Sequence, residues 1–392
     1  MNPSATGWIK KLLKLIDINS SQSIISDEDF YNNLRTSGFI YGTNVQIVSD
    51  FIIDKGFTEE EMCKVNLCLA FLHAFKKNNH TENFAESVVG FYKSINEHKL
   101  SFFKEIIGNK KRTEHLEHIF HNRTQIADNV FTKNFNYLLI NGLLYVDILA
   151  YEAYLKDDSS SLEYIKKLES CIEAISLDVI KSKKKKTVYD KGLIRLFESS
   201  MRYKTDDHLE YKTALAYIQD KKEKLYIFDL ACMATWSDQI IESSEQKFLL
   251  QLGQDLELSL SDIEESISTI NDFYISNKNQ IALFSSKNMM LTFYGNSTKI
   301  VTKLITRNRK RLYQELLDSK ELMILLTQST VRDLNKQEQK KVNEQLLDIF
   351  KSIPSLAIFL LPGGMLLLPI VIKFIPKLLP SAFDENRIEE DH

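Results

Sequence analysis

Residues 352–372 read SIPSLAIFLLPGGMLLLPIVI, a run of 21 residues without a charged side chain. A helix of about 20 apolar residues is long enough to cross the hydrocarbon core of a bilayer, which is about 30 Å thick. The run therefore predicts a membrane segment, which follows a much longer and more polar body.

The prolines separate this segment from the rest of the chain. Five of the six lie between positions 354 and 380, and the sixth is Pro3, so residues 4–353 contain none. Proline removes a helical hydrogen bond and clashes with the preceding turn, so long helices exclude it. Glycine is scarce as well, with 12 in 392 residues, which disfavours hairpin turns. We predict an all-α, multi-helix cytoplasmic body with a C-terminal, proline-punctuated membrane segment.

The proline spacing also predicts the form of that segment. Pro362, Pro369 and Pro376 recur every seven residues, close to two helical turns. In one continuous helix they would leave a row of unpaired carbonyls, which in hydrocarbon need another helix, a hydroxyl or water. We expect a kinked or re-entrant span that packs against a partner. The alternative is a pair of short buried helices broken at Pro362, Gly363 and Gly364.

The flanking charges predict the orientation. Residues 299–351 hold 12 Lys and Arg against 7 Asp and Glu, whereas residues 373–392 hold 3 against 5. The positive-inside rule then keeps the body cytoplasmic and the segment in the inner (cytoplasmic) membrane. Basic side chains beside the segment are also expected to contact anionic lipid headgroups.

Composition and motifs exclude several function classes. The chain has 50 Lys and Arg and 53 Asp and Glu, a net charge of −3, which argues against a generally basic DNA-binding protein. No glycine-rich phosphate loop, nucleophile elbow or HExxH motif occurs, so we predict no enzyme activity and no cofactor. The four cysteines show no metal-ligand spacing and are interpreted as reduced core residues: Cys63, Cys68, Cys171 and Cys232.

Helical periodicity divides the chain into five predicted segments. These are an N-terminal helical domain (1–112), a helical domain with a buried apolar helix (113–205), a third helical domain (206–290), basic charged helices (291–350), and the membrane segment with an acidic tail (351–392). Capping boxes are predicted at Thr58 with Glu61 and at Ser261 with Glu264. Residues 8–16 form an amphipathic pattern, which we interpret as a first helix docked on its own core, with membrane-surface binding as the alternative.

Residues 206–290 place an acidic turn between two helical patterns. The order of helix, acidic turn, helix and capped helix resembles the TerB-like domain of tellurite-resistance proteins, whose turn matches Asp238, Ile241 and Glu245. The resemblance implies Asp238 and Glu245 as candidate metal ligands, but Gln239 replaces the glycine of the family. A calcium loop is not predicted, because Ile240 stands where a second oxygen ligand is needed.

A second candidate for metal binding is the histidine series at 115–121. His115, His118 and His121 are spaced by three, so on a helix the outer two lie about 120° apart, as follows from the turn of the helix. At most two of the three side chains could therefore bind the same metal ion. We interpret the series as a polar helix face, with a metal site as the alternative.

The C-terminal segment carries the more specific resemblance. From about Arg332 to Phe383 the chain resembles the membrane segment of the leucine-zipper, EF-hand transmembrane (Letm-type) family, in particular bacterial Letm-related, biofilm-associated proteins. The spacing Pro-x-x-x-Lys-Phe-x-Pro-x-x-Leu-Pro-Ser-x-Phe begins at Pro369. The residues assigned to the segment are Pro354, Pro362, Gly363, Gly364, Pro369, Lys373, Phe374, Pro376, Pro380 and Phe383.

This resemblance implies a protein of inner membranes linked to proton-coupled cation exchange and to ribosome binding. In the family a soluble ribosome-binding domain follows the membrane segment, whereas this sequence ends nine residues after Phe383 and lacks an EF-hand and a leucine zipper. Ribosome binding would then need the N-terminal body. The expected partners are membrane lipids, and ribosomes or other membrane proteins, with homo-oligomers as an option.

Three functions follow from these observations. The first is a membrane-associated helical interaction protein of the Letm type, connected with ribosomes or with envelope and cation homeostasis. The second is an oligomeric cation/proton exchanger, since one segment with few polar groups cannot enclose an ion path alone. The third is a soluble helical scaffold with a buried C-terminal hairpin.

Overall fold

The computed structural model describes residues 1–18, 25–52, 56–78, 83–95, 112–124, 142–157, 161–182, 209–235, 243–277, 305–306 and 308–353, and positions 356, 368, 371, 372, 375 and 376. Within these ranges the secondary structure is helical and no strand occurs, so the all-α prediction is confirmed there. The described residues form two compact units, which we call the N-terminal unit (1–277) and the C-terminal unit (305–376).

The N-terminal unit contains eleven helices among the described residues. They are α1 (Trp8–Ile18), α2 (Asp27–Thr36), α3 (Glu59–Lys77), α4 (Phe84–Ile95), α5 (Arg112–Thr124), α6 (Leu144–Tyr154), α7 (Ser161–Ser182), α8 (Tyr211–Tyr217), α9 (Lys221–Thr235), α10 (Ser243–Asp255) and α11 (Leu260–Asn277). The described part of the C-terminal unit contains α12 (Arg309–Leu317), α13 (Lys320–Val331) and α14 (Lys336–Ser352).

Helix α3 is the central helix of the N-terminal unit. Its first turn carries the predicted capping box, in which Glu61 N donates to Thr58 Oγ1 at 3.2 Å and Thr58 N donates to Glu61 Oε2 at 2.9 Å. Every residue from Met62 to Leu72 is buried, so the helix is enclosed on all sides. Its buried surface is apolar around most of the circumference rather than on one stripe, and the two polar side chains in it, Lys64 and Asn66, are hydrogen-bonded.

Aromatic rings join α3 to the helices around it. The ring centroid of Phe71 lies 5.7 Å from that of Tyr92, 5.6 Å from Phe120 and 5.1 Å from Tyr151. One hydrophobic core extends from α1 to α11 and includes Leu144–Val146 of the predicted buried apolar helix. Packing therefore joins residues of the first three predicted segments in one core, while the five-segment division stays a sequence-based prediction.

Helix α1 docks on this core through its apolar face, with Trp8, Ile9, Leu12 and Ile16 all buried. The carboxylate of Glu117 caps its first turn, accepting from Gly7 N at 2.8 Å and from Ile9 N at 2.9 Å. Capping acceptors satisfy amide groups that have no partner inside the helix. The interpretation of α1 as a helix docked on its own core is confirmed.

A second predicted capping box is wrong. Helix α11 begins at Leu260, and its cap is Ser259, whose Oγ accepts from Asp262 N at 3.1 Å. Ser259 N in turn donates to Asp262 Oδ2 at 3.3 Å. The predicted pair was Ser261 with Glu264. The observed pair is Ser259 with Asp262, which has the same three-residue spacing but lies two positions earlier.

The four cysteines are buried and free, as predicted: Cys63, Cys68, Cys171 and Cys232. Burial raises the pKa of the Cys63 thiol and of the Cys68 thiol above their ordinary values. A thiol in an apolar environment is a weak nucleophile and packs like a small apolar residue. Their place is therefore in the core.

A buried ion pair connects the N-terminal part of this unit with helices α9 and α11. The guanidinium of Arg35 donates to Asp229 from Nε at 2.8 Å and from Nη2 at 3.2 Å, and Nη2 also donates to Ser266 Oγ at 2.7 Å. Tyr31 OH donates to the same carboxylate at 2.6 Å. Burial lowers the pKa of Arg35, but attraction by Asp229 outweighs it and keeps the group charged.

Replacing Arg35 by alanine should lower the free energy of unfolding by about 3 to 5 kcal/mol, because the buried carboxylate of Asp229 would lose its partner. Urea unfolding at pH 7 measures this change. The matched control is Arg112→Ala, which breaks the exposed pair with Glu86, whose side chains are 67% and 41% exposed; there we expect a loss of at most about 1 kcal/mol. Equal effects of the two substitutions would contradict the prediction.

Gly38 should tolerate no side chain, whereas Gly7 should. Both have positive φ, +81° and +89°, but a Cβ at Gly38 would lie 1.8 Å from the carbonyl oxygen of Thr43, and a Cβ at Gly7 would meet no atom within 4 Å. We expect Gly7→Ala to cost about 1 kcal/mol from backbone strain, and Gly38→Ala about 2 kcal/mol more from the clash. Thermal unfolding compares them, and a Gly38→Ala protein as stable as Gly7→Ala would show the prediction to be wrong.

Candidate functional site

The three helices of the C-terminal unit enclose their own hydrophobic core. Each contributes fully or almost fully buried side chains spaced by three or four residues, namely Leu312 and Leu316 from α12, Leu322, Met323 and Leu326 from α13, and Val342, Leu346 and Phe350 from α14. This spacing places the side chains on one face of each helix and leaves the opposite face to water. The unit therefore has an apolar interior and a polar helical surface.

The turn between α13 and α14 is held by a network of polar side chains. The guanidinium of Arg332 donates to Glu338 Oε2 from Nη1 at 2.8 Å and to Oε1 from Nη2 at 2.7 Å. Asn335 caps α14, its Oδ1 accepting from Glu338 N at 2.9 Å, while Asn335 N donates to Glu338 Oε2 at 2.9 Å. Hydrogen bonds from Arg332, and next from Asn335 N, lower the pKa of the Glu338 carboxyl to about 2. This network determines where α14 begins.

The surface of this unit carries several exposed cations. Lys341 pairs with Glu321, and Lys340 Nζ lies 3.9 Å from Glu344 Oε1 with both side chains largely exposed. Within the described part of the C-terminal unit, five exposed cations make no ion pair: Arg309, Lys310, Arg311, Lys320 and Lys336. Unpaired exposed lysine and arginine side chains are suited to contact phosphate groups. We call Lys336 and Lys340 of α14, one helical turn apart, the basic pair.

The structure describes only one of the predicted membrane-segment residues. Pro376 is buried. The others lie outside the described residues: Pro354, Pro362, Gly363, Gly364, Pro369, Lys373, Phe374, Pro380 and Phe383. Their assigned role in the segment stays a prediction.

Apolar residues in and beside the predicted span contribute to the core of the C-terminal unit. Leu356, Leu368, Val371 and Ile375 are each 0% exposed and belong to the cluster that also contains Phe350. In the described ranges no helix combines the length and apolar character needed to cross a bilayer. Most of residues 352–372 lie outside those ranges, so the membrane segment stays a prediction.

The histidine series lies on α5, where two of its members have defined partners. His121 Nδ1 lies 2.9 Å from Lys64 Nζ, and His118 Nε2 lies 3.1 Å from Asn122 Nδ2. Burial, and then the neighbouring Lys64 ammonium, lower the pKa of His121 to about 4. A neutral imidazole accepts the hydrogen bond that the ammonium donates. His121 thus serves a polar contact between α5 and α3.

The candidate metal residues are not brought together among the described residues. No group of three or more His, Cys, Asp or Glu side chains there is arranged to hold an ion. Asp238, with the rest of the TerB-like turn, lies outside the described ranges, and for Glu245 only its backbone in α10 is described. Metal binding by Asp238 and Glu245 stays a prediction.

Two buried carboxylates were not predicted from the sequence. Asp229 lies within the apolar run from Tyr226 to Met233, and Asp147 lies within the run from Leu143 to Tyr151; both are 0% exposed. Asp147 accepts from Tyr92 OH at 2.9 Å and from Arg123 Nη2 at 2.7 Å. The sequence does indicate them, since each is a single carboxylate inside an apolar run. A buried run would place that charge in the core, where it requires a partner.

A second missed group surrounds Asp27 at the start of α2. Its carboxylate accepts from His73 Nε2 at 2.9 Å, from Lys222 Nζ at 3.2 Å and from Lys77. Partial burial raises the pKa of Asp27, but the hydrogen bonds from Lys77 and then His73 hold it well below its usual range. The three donors come from α3 and α9, so no sequence spacing indicates the cluster.

Comparison with known proteins gives one match. A family model described as LETM1-like, RBD (ribosome-binding domain) matches residues 334–392, less than one sixth of the chain. No curated protein and no solved structure matches. The match confirms the Letm-type resemblance read from the sequence, while the TerB-like and biofilm-associated resemblances stay predictions.

The position of the match changes one expectation. It begins within two residues of Arg332, where the sequence resemblance begins, and the model that it matches is that of the ribosome-binding domain. This removes the reason for placing ribosome contact in the N-terminal body. The C-terminal unit, from Leu334 onwards, is the part of this protein that is similar to the ribosome-binding domain of LETM1-like proteins.

Proposed function

We propose that this protein is a membrane-associated helical interaction protein of the Letm type, and that its C-terminal unit contacts the ribosome. The observation that carries the proposal is the match of residues 334–392 to the LETM1-like ribosome-binding domain model. A helical protein of the Letm type is supported by both the match and the helical fold.

The surface of α14 supports ribosome contact in particular. The helix buries Val342, Leu346 and Phe350 and exposes the basic pair, Lys336 and Lys340. The capping network at Asn335 fixes the first turn, so Lys336 is presented from an ordered backbone. Ribosomal RNA offers a dense array of phosphates, and lysines that contact phosphate give binding that weakens as salt rises.

Membrane association is proposed on the composition of the C-terminal sequence. The uncharged run at 352–372 has the length of a span, and the basic stretch before it favours retention of the body on the cytoplasmic side of the inner membrane. A protein with this arrangement would bring its ribosome-contacting unit close to the membrane surface.

A second candidate, the soluble helical scaffold, is favoured by one observation. Leu368, Val371 and Ile375 are buried in the same core as α12, α13 and α14. Side chains that pack in a protein core do not face lipid. If the rest of residues 352–372 packs in the same way, the segment forms part of a folded helical unit rather than a span.

Reversing the charge of the basic pair should weaken ribosome binding. We expect the Lys336→Glu/Lys340→Glu protein to bind purified ribosomes about tenfold more weakly than the unchanged protein at about 0.1 M salt, because two phosphate contacts are replaced by repulsion. Co-sedimentation through a sucrose cushion at several salt concentrations measures the affinity and its salt dependence.

The control for this experiment carries the same charge change elsewhere. Lys212 and Lys247 are exposed in the N-terminal unit, and the Lys212→Glu/Lys247→Glu protein should bind ribosomes as the unchanged protein does. Equal loss in both double variants would indicate an effect of net charge alone. Absence of co-sedimentation of the unchanged protein at low salt would refute the proposed ribosome contact.

Carbonate washing of membranes tests the membrane proposal. We expect the full chain to remain in washed membranes and the Leu368→Asp variant to move to the supernatant, because a charged aspartate inside the apolar run disfavours membrane insertion. The control is Leu317→Asp, at a side chain that is 44% exposed on α12, which should stay with the membrane. A full chain found in the soluble fraction, together with aggregation of Leu368→Asp, would favour the scaffold instead.

A further inference from the structure

A cleft of about 920 Å³ lies in the N-terminal unit between the end of α1, helix α2, the loop at 48–51 and helix α3. Its apolar wall includes Ile16, Phe30, Val48, Phe51, Leu69 and Leu72. Pockets that hold small molecules commonly have volumes of about 300 to 1,000 Å³ and a mostly apolar lining. The size and lining of the cleft are therefore those of a ligand site with a large apolar portion.

The polar side of the cleft presents one uncommitted cation. The lining includes Lys76 and Lys77, one after the other at the end of α3. Lys77 is bound to Asp27, which also accepts from His73, whereas Lys76 is exposed and makes no ion pair with any described residue. The ammonium of Lys76 is free to bind an anionic group at the edge of the cleft.

Neutral hydrogen-bonding groups lie in the same lining. Ser49 Oγ is buried and has no hydrogen-bond partner among the described residues, and Asn33 also lines the cleft. Buried hydroxyl groups are normally hydrogen-bonded, so one without a protein partner indicates a place for a polar atom of water or a ligand. This observation is independent of the charge of Lys76.

We propose that the cleft binds a long-chain fatty acid. Its acyl chain would lie along the apolar wall, and its carboxylate would lie at the polar side, where Lys76 supplies an ammonium and Ser49 and Asn33 supply hydrogen-bond donors. Asp27 does not repel such a ligand, because Lys77 and Lys222 neutralise it. Asp50 is the carboxylate of the lining that has no described ion-pair partner, and it should oppose binding.

The test is titration of the full-length protein with oleate below its micelle concentration, followed by calorimetry. We expect saturable binding of oleate. Lys76→Glu should weaken the affinity about fivefold, which is the effect expected from the loss of one exposed charge interaction. Asp50→Asn should strengthen binding about twofold, because it removes a repulsive carboxylate. Lys212→Glu is the matched control for charge and should leave the affinity unchanged, since Lys212 lies on α8 and does not line the cleft.

A steric variant tests the location independently of charge. Asn33 is half-buried on α2, so Asn33→Trp should fill part of the cleft and weaken oleate binding at least about tenfold, with the thermal unfolding midpoint confirming that the variant is folded.

Absence of saturable oleate binding would overturn the proposal. It would also be overturned by equal affinities of the unchanged, Lys76→Glu and Asn33→Trp proteins, or by tighter binding of dodecyltrimethylammonium than of oleate. The ribosome proposal does not enter this test.

Discussion

The buried ion pair between Arg35 and Asp229 is the constraint on which the N-terminal unit depends most. It joins residues 194 positions apart, and Ser266 extends the network to a third helix. A buried carboxylate without a partner is strongly unfavourable, so α2, α9 and α11 have to meet in one arrangement that satisfies it. Apolar packing alone tolerates shifts of one helix along another, whereas a bidentate ion pair with fixed donors does not.

The position of α2 in turn determines the polar groups around it. Arg35 and Tyr31 lie on the face of α2 that meets α9, and Asp27, at the first turn of the same helix, receives donors from α3 and α9. Phe30 stacks on His73 with ring centroids 4.1 Å apart, which places α2 against the end of α3. The cleft beside α2 and α3 is thus a consequence of where the buried charges hold the helix.

The C-terminal unit follows a different principle. Its described ion pairs lie at the surface, where each contributes little to stability, and the buried side chains described in its core are apolar. What is specific there is the start of α14, fixed by Asn335, Glu338 and Arg332. Such a unit combines a well-defined helix with a surface rich in charge, which suits contact with a highly charged partner.

The sequence by itself determined the helical class, the capping box at Thr58, the docking of α1, the burial of the cysteines and the Letm-type character of the C-terminal residues. These depend on local spacing, on proline and glycine content or on a contiguous motif. Sequence did not reveal the partner of Asp229, the Asp27 cluster or the cleft, and it placed the cap of α11 two residues late. The buried charges and the cleft were decided by the tertiary structure, because the residues concerned come from helices far apart in the chain. At the start of α11 the structure decided between two serines, since the hydrogen bonds with Asp262 form at Ser259 and not at Ser261.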